Sequence, residues 1–268
     1  MTPSRESLTV CLVVKDEEQN LARLLPALQG WADHLVILDT GSRDGTIALA
    51  QQYQAEVHCA VWRNNFAEAK NHVLNFAPDD WVLLLDADEI PSAKLKIEIH
   101  DALTNTGDNR AFTMPRLNHL MGRPLQHGAL YPDSQIKLFR KSCTTFHPPR
   151  VHPKVVVKGE IGHLSGDLEH HPYPTIGEYL RKFDTYTTWA AEEMQAAGKR
   201  PDILMAWRWL CWRPVSRFIR RYCFKGGFRN GLPGFFMSIF DSLACIVQYI
   251  KLWDLDSQSA GREMREGE

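Results

Sequence analysis

The chain has 268 residues, of which 44% are hydrophobic and 24% are charged, values typical of a globular protein. This composition excludes a disordered chain, and the net charge of −1 disfavours a generally basic nucleic-acid binder. The six cysteines are scattered and form no C-x-x-C pair. We therefore expect reduced thiols, and neither a zinc site nor a disulfide framework.

Strand and helix patterns alternate in the first part of the chain. Apolar runs predict strands at 8–14, at 35–39, at 56–61 and from 81 onward, and helical spacing predicts helices at 20–31, 46–53 and 67–77. This alternation indicates a mostly parallel sheet covered on both faces. The run at 8–14 is too short for a signal peptide and is followed at once by charges, so we expect a cytoplasmic protein.

Polar residues follow three of these strands. Because ligands bind beyond the carboxyl ends of parallel strands, we expect residues 15–18, 39–46 and 86–89 on one rim. Asp86 and Asp88 suit a divalent cation, although D-x-D is also common in solvated turns. Asp39 suits a nucleoside N–H or ribose hydroxyls, whereas an ordinary turn and helix cap would explain the same segment.

The pattern changes after residue 110. Strands are predicted in FTMPRL, SQIKLFRK and KVVVKG, and a helix is predicted over 175–197. Residues 199–229 carry nine basic residues against one acidic residue, a local charge of +8, with tryptophans between them. This mixture favours an anionic headgroup region of a membrane. A nucleic-acid groove and a plain solvated helical face are the alternatives.

The apolar segment 232–253 is long enough to cross a membrane. Its polar residues Ser238, Asp241, Cys245 and Gln248 recur as one narrow helical stripe. A lone membrane span gains nothing from Asp241 near its middle. We therefore expect an interfacial or re-entrant helix with the stripe against the catalytic domain, the alternative being a helix buried in the protein core.

Four ordered motifs, VVKDEEQNL, LDTGSRDGT, FAEAKNHVL and LLLDADE, resemble those of family 2 inverting glycosyltransferases. The resemblance implies an α/β, Rossmann-like GT-A fold over residues 1–174, with a helical C-terminal appendage. We expect membrane association through residues 175–253 and a disordered tail over 254–268. The later motifs GALYPDSQIKLFRK and LSGDLEHHPY resemble the lipopolysaccharide-core β-glucosyltransferase subfamily.

This resemblance implies transfer of a hexose, with UDP-glucose favoured as the donor, onto an inner-core heptose of lipopolysaccharide. The expected partners are a UDP-sugar, a lipid-linked saccharide and the inner-membrane surface, and the cofactor is Mg²⁺ or Mn²⁺. A polyprenyl phosphate, another glycan or a peptide is the alternative acceptor, and an inactive membrane-associated scaffold is the alternative class. A dinucleotide oxidoreductase is disfavoured because KDEE, not G-x-G-x-x-G, follows the first strand.

The resemblance also assigns residues. The nucleotide-sugar is expected at Lys15, Glu17, Asp39, Ser42, Asp44, Lys70, Asn71 and Asp86. The metal is expected at Asp86, Asp88 and His170, with His171 as an alternative to His170. Lys70 replaces the usual arginine and therefore offers a point charge in place of a bidentate fork.

An inverting transfer needs a general base beside the acceptor hydroxyl. Many relatives have glutamate where this chain has Pro153, so the base is not carried over directly. The remaining candidates are Asp133, His152, Glu160 and Asp167. We favour Asp133, in the distinctive YPD segment, although a turn residue after Pro132 would explain it too.

Overall fold

The computed structural model describes residues 5–63, 65–147 and 154–266. These residues form two compact units. The first unit comprises residues up to 117 together with 133–170, and the second comprises 118–132 together with the chain from 171 onward. The boundary expected at 174 therefore lies near 170, and the second unit also takes in an earlier segment.

The sheet domain is built from short strands and four helices. In chain order these are β1 (Leu8–Val14), α1 (Glu18–Leu28), β2 (His34–Asp39), α2 (Thr46–Gln52), β3 (Glu56–Cys59), α3 (Phe66–Leu74), β4 (Trp81–Leu85), β5 (Glu89–Pro91), α4 (Ala93–Thr104), β6 (Asn109–Leu120), β7 (Arg123–Pro124), β8 (Asp133–Arg140), β9 (Thr144–His147), β10 (Lys154–Val157), β11 (Glu160–His163) and β12 (Leu168–Tyr173).

The strands form one mixed sheet in the order β3-β2-β1-β4-β8-β6-β12-β5, with β11 beside β6 and a separate β9–β10 pair. Strand β1 is parallel to both β2 and β4, whereas β8 is antiparallel to both β4 and β6. Three strand–helix repeats therefore open the fold, as predicted. The α/β fold of GT-A type is confirmed.

The central strands are buried because both faces of the sheet are covered. Leu12 and Leu85 belong to one apolar cluster, whereas Cys11 and Leu84 belong to the other. Successive side chains of a strand point to opposite faces, so one short strand supplies both clusters. This double burial explains the continuous apolar runs in the sequence.

Helix α4 was not predicted. Its buried residues Leu95, Ile99 and Leu103 recur at helical spacing, and the Ser92 hydroxyl caps its first turn by accepting from the Leu95 N–H at 3.2 Å. Strand β12 was also not predicted, because histidines and a proline interrupt its apolar pattern.

The second unit is mainly helical. Its helices are α5 (Ile176–Ala196), α6 (Ile203–Trp207), a π-helical turn (Arg208–Trp212), α7 (Arg213–Ile219), a second π-helical turn (Arg220–Phe224), a 3₁₀ turn (Gly227–Asn230) and α8 (Leu232–Glu266). The helix predicted over 175–197 is confirmed by α5. The sequence predicted a disordered tail over 254–268, whereas the structure continues α8 to Glu266. Leu252 and Leu255 pack with α5 side chains and extend the helix past residue 253.

The polar stripe of α8 faces protein. Ser238 and Cys245 are fully buried, and Asp241 pairs with Arg217 and Arg221 at 3.5 and 3.4 Å. The sequence predicted this stripe against the catalytic domain, whereas α8 packs on α5 and α7 of its own unit. Burial of the stripe explains how one helix tolerates a carboxylate between apolar residues.

The N-terminal cap of α3 yields a first prediction. The Asn65 side chain accepts from the Ala67 and Glu68 N–H groups at 3.1 and 3.3 Å. We expect Asn65→Ala to lower the free energy of unfolding by about 1 kcal/mol, and Asn65→Asp to restore it. Urea unfolding measures both. Asn105→Ala, at the exposed C-terminal end of α4, is the matched control, and an equal loss in that variant would contradict the capping role.

Candidate active site

Asp39 ends β2 at the carboxyl edge of the sheet and is only 2% exposed. Its carboxylate accepts from the Gly41 N–H at 2.9 Å, from the Ser42 N–H at 3.1 Å and from the Ser42 hydroxyl. Gly41 has φ +105°, a conformation that favours glycine, so the chain turns sharply here. Asp39 and Ser42, both predicted site residues, thus form one rigid turn.

The loop after β1 docks on this turn. The Asp16 N–H donates to the Ser42 hydroxyl at 2.8 Å, and the Glu17 N–H donates to the Thr46 hydroxyl at 2.8 Å. Asp44 accepts from the Thr46 N–H at 3.0 Å, so it caps α2 as the alternative reading proposed. The predicted residues Glu17, Asp39, Ser42 and Asp44 therefore share one edge. Lys15 is exposed directly after β1.

Asp86 follows β4 at the same edge and is held by two lysines. Lys70 Nζ lies 3.2 Å from Asp86 Oδ1, and Lys137 Nζ lies 2.8 Å from Oδ2. Desolvation would raise the pKa of Asp86, although 42% of its side chain meets solvent. The charges of Lys137 and Lys70 outweigh this effect and hold the pKa of Asp86 well below its ordinary value.

Lys137 has a second partner. Its ammonium lies 2.6 Å from Glu89 Oε2, and Glu89 is completely buried. Burial would lower the pKa of Lys137, but the carboxylates of Asp86 and Glu89 raise it above its ordinary value. Glu89 Oε2 also accepts from the Asp86 N–H at 3.0 Å, which closes the turn between the two acids.

Arg116 extends this network to the predicted base. Its Nε and Nη2 atoms donate to Asp133 Oδ2 at 2.9 and 2.7 Å, and its Nη1 lies 3.4 Å from Glu89 Oε1. Arg116 and Asp133 are register partners across β6 and β8. Gln135 Nε2 donates to Asp133 Oδ1 at 2.7 Å, so both carboxylate oxygens are held.

These contacts form a continuous series of alternating charges, which we call the charge chain. Its members, in contact order, are Lys70, Asp86, Lys137, Glu89, Arg116 and Asp133. The charge chain contains three carboxylates and three cations, so its net charge is zero. Sequence reasoning missed Lys137, Glu89 and Arg116. The spacing of Asp133, Gln135 and Lys137 was the available signal, because alternate strand residues share a face.

Asp88 and His170, both expected as metal ligands, lie close together. His170 pairs with Glu89 in the register of β12 and β5, and its Nε2 lies 3.4 Å from Asp88 Oδ2. These side chains are 17% and 14% exposed. A carboxylate oxygen and an imidazole nitrogen this close can ligate one divalent cation. The alternative, His171, lies in the second unit and stacks on the His119 ring.

Three other predicted residues lie elsewhere in the described part of the chain. The Asn71 amide makes two bonds to the Phe146 backbone, at 2.9 and 3.0 Å, and so anchors β9. The Asp167 carbonyl accepts from the Ser92 N–H at 3.0 Å, at the start of α4. Glu160 is paired with Asn109, about 23 Å along β6 from Arg116, so it is remote from Asp133. His152 lies outside the described residues.

The chain is similar in sequence to known glycosyltransferases. Residues 9–125 match the model of "Glycosyl transferase family 2". The chain is 25% identical over 253 residues to the lipopolysaccharide core biosynthesis glycosyltransferase LpsC of Rhizobium meliloti, covering 92% of each protein. It is also 25% identical to an uncharacterized glycosyltransferase of Rickettsia typhi, covering 95% of this chain and 89% of the relative. Glucosyl-3-phosphoglycerate synthase from Mycobacterium tuberculosis has a TM-score of 0.46 at 16% identity, covering 74% and 82% of the two chains.

The α/β sheet with an acidic carboxyl edge and this sequence match support a glycosyltransferase. More particularly, residues 9–125 match a family 2 glycosyltransferase domain, and the chain as a whole resembles a lipopolysaccharide core biosynthesis glycosyltransferase.

The charge chain yields a second prediction. Lys137 is 8% exposed, so Lys137→Met leaves Glu89 buried without its nearest cation. We expect the free energy of unfolding at pH 7 to fall by about 3–5 kcal/mol. The lysines lower the pKa of folded Asp86, so the native protein loses this contribution as the pH falls below about 4, and the variant loses less.

Denaturant unfolding between pH 7 and pH 2 measures both effects. Lys141→Met is the matched control, because the Lys141 ammonium donates to the Ala77 carbonyl. Equal losses of stability in the two variants would contradict the buried pairing of Lys137.

Proposed function

We propose that the protein transfers a hexose with inversion from a UDP-sugar to a lipid-linked saccharide. The contact between Asp88 and His170 carries this proposal, because it places two metal-binding groups beside the edge where the phosphates of a nucleotide-sugar would lie. The family 2 match supports the reaction class, and the donor and acceptor remain our proposal.

Asp88 and His170 fit a divalent cation in donor chemistry and in spacing. Oxygen and imidazole ligands suit Mn²⁺, and oxygen ligands suit Mg²⁺. When bound, such an ion supplies positive charge that stabilises a departing diphosphate. Asp86 is committed to Lys70 and Lys137, so we assign it to orienting the nucleotide and the two lysines. Lys70, 15% exposed, is placed to neutralise phosphate.

The turn at Asp39 suits the nucleoside. Its rigid hydrogen bonds fix a carboxylate at the end of β2, where further lone pairs can accept from the uracil N–H or a ribose hydroxyl. Asp44 and Glu17 stay proposed nucleotide-sugar residues, and Asp44 also ties the start of α1 to the start of α2 by accepting from the Glu18 and Thr46 N–H groups at 3.2 and 3.0 Å.

Asp133 is the proposed base. Its side chain is 34% exposed, and Arg116 and Gln135 fix its orientation. The acceptor hydroxyl attacks the anomeric carbon opposite the diphosphate, the new C–O bond forms as the sugar–phosphate bond breaks, and UDP leaves with the electron pair. Asp133 takes the hydroxyl proton.

For the acceptor we propose an inner-core heptose of lipopolysaccharide, with UDP-glucose as donor. The relative LpsC, a lipopolysaccharide core biosynthesis glycosyltransferase, supports this class of acceptor over nearly the whole chain.

The third prediction tests donor and acceptor together. The protein is incubated with Mn²⁺, heptosyl-lipid A and each UDP-hexose in turn, and mass spectrometry monitors the lipid. We expect a mass gain of one hexosyl residue, and a loss of at least about a hundredfold in rate for Asp88→Ala and His170→Ala. Asp101→Ala, on the exposed face of α4, is the control. Failure of every UDP-hexose would contradict the proposal.

We also propose that the second unit docks on the cytoplasmic face of the inner membrane. Over residues 203–228 it exposes a run of large apolar side chains: Ile203, Leu204, Trp207, Leu210, Trp212, Val215, Ile219, Phe224 and Phe228. Trp207 and Trp212 stack with ring centroids 6.4 Å apart. An apolar surface of this extent marks an interaction site.

The same segment, with the adjoining Arg229, also exposes cations. Arg208, Arg220, Lys225 and Arg229 are exposed, and none makes an ion pair within the part of the chain that the structure describes. Apolar side chains, tryptophans and unpaired cations together suit an anionic bilayer surface. Helix α8 is long and apolar enough over Leu232–Ser259 to cross a membrane, but its buried polar stripe favours a helix that lies against protein.

The fourth prediction concerns this surface. We expect the double variant Trp207→Ser, Trp212→Ser to bind phosphatidylglycerol vesicles about tenfold more weakly in co-sedimentation, because two interfacial aromatic rings are lost. Binding by the native protein should also weaken as salt is raised. Val61→Ser with Ile97→Ser, which removes exposed apolar residues of the first unit, is the control. Unchanged binding of the tryptophan variant would exclude this docking surface.

A further inference from the structure

Glu89 is the only described member of the charge chain that contacts two of its cations from a fully buried position. Its Oε2 holds Lys137 at 2.6 Å and its Oε1 faces Arg116 at 3.4 Å. Lys137 in turn reaches Asp86, and Arg116 reaches Asp133. Glu89 therefore stands between the carboxylate proposed for the donor and the one proposed for the acceptor.

Asp86 and Asp133 lie at the ends of different strands, so no single strand fixes one carboxylate relative to the other. Asp86 follows β4, Asp133 begins β8, and Arg116 lies on β6. Backbone pairing between strands does not by itself restrict the rotamers of these side chains. Two cations that share one immobile carboxylate restrict that choice, since each cation is held from both sides.

We propose that Glu89 is a positioning residue that couples Asp86 to Asp133 through Lys137 and Arg116. This inference rests on the proposed function, because it takes Asp86 as a donor-side group and Asp133 as the base. Glu89 touches neither substrate. It sets the positions of two cations, and these set the positions of two carboxylates.

The physical reason is competition for shared cations. If Arg116 is removed, Glu89 keeps Lys137 as its one cationic partner within the described charge chain, and the Lys137 ammonium, already 2.6 Å from Glu89, is held by Glu89 at the expense of Asp86. Asp86 then loses one of its two lysine contacts, although Arg116 itself does not touch Asp86. A change on the acceptor side thus alters the donor side, and the effect requires the negative charge of Glu89.

The test measures affinity for UDP with Mn²⁺ by titration calorimetry, without turnover. We expect Arg116→Gln to weaken this affinity about three- to tenfold, the size of typical coupling between residues in one ion-pair network. In a Glu89→Gln background, which weakens affinity on its own, adding Arg116→Gln should change affinity less than about twofold.

Arg140→Gln is the matched control. Arg140 is also half-buried between two acids, Glu6 at 2.6 Å and Asp80 at 3.1 Å, and it is 19% exposed against 22% for Arg116. We expect its affinity for UDP with Mn²⁺ to be unchanged. Circular dichroism checks the folding of each variant, and Glu89→Asp, which keeps the charge, replaces Glu89→Gln if the latter does not fold. A partial reduction of the Arg116 effect is then expected.

An Arg116→Gln effect of equal size in both backgrounds means that Arg116 acts without Glu89 and overturns the coupling. No effect of Arg116→Gln in the native background overturns it as well. If the native protein binds no UDP with Mn²⁺, the proposed function fails first, and the positioning role fails with it.

Discussion

The buried pair of Lys137 and Glu89 is the interaction on which the site depends. A carboxylate with no exposed surface and a lysine that is 8% exposed are each costly alone and tolerable only together. Their pairing links β5 to β8, which are not neighbours in the sheet, while the backbone pairing of β5 with β12 sets Glu89 opposite His170. Asp86 and the proposed base Asp133 are thus held by one neutral network rather than by separate loops.

The first three strand–helix repeats were predictable because double burial leaves continuous apolar runs in the sequence. The acidic turn after β4 was equally readable, since two carboxylates after a buried strand need a partner. The partners were not readable. Glu89, Arg116 and Lys137 come from three strands, β5, β6 and β8, and they meet only once the sheet has formed. His170 was assigned by resemblance, whereas β12, which carries it, has no apolar periodicity of its own.

The second unit shows the limits of composition in another way. The +8 charge and the tryptophans of residues 199–229 were visible in the sequence. The structure divides the basic residues into those that contact other side chains and those that are exposed. Arg217 and Arg221 form ion pairs with Asp241, and the Arg213 guanidinium lies 3.8 Å from the centroid of the Trp209 ring. The remaining cations and the exposed aromatic rings form the surface that we assign to the bilayer. Helix α8 instead turns its polar stripe toward protein.

The central claim is that Asp88 and His170 hold the metal while Asp86 stays with its lysines. Anomalous diffraction from crystals grown with Mn²⁺ and UDP tests it most directly. The account predicts one manganese peak within about 2.3 Å of Asp88 and His170, with Lys137 still in contact with Asp86 and Glu89. A manganese ion held elsewhere, or an Asp86 that has left Lys137 to become its main ligand, would contradict the account.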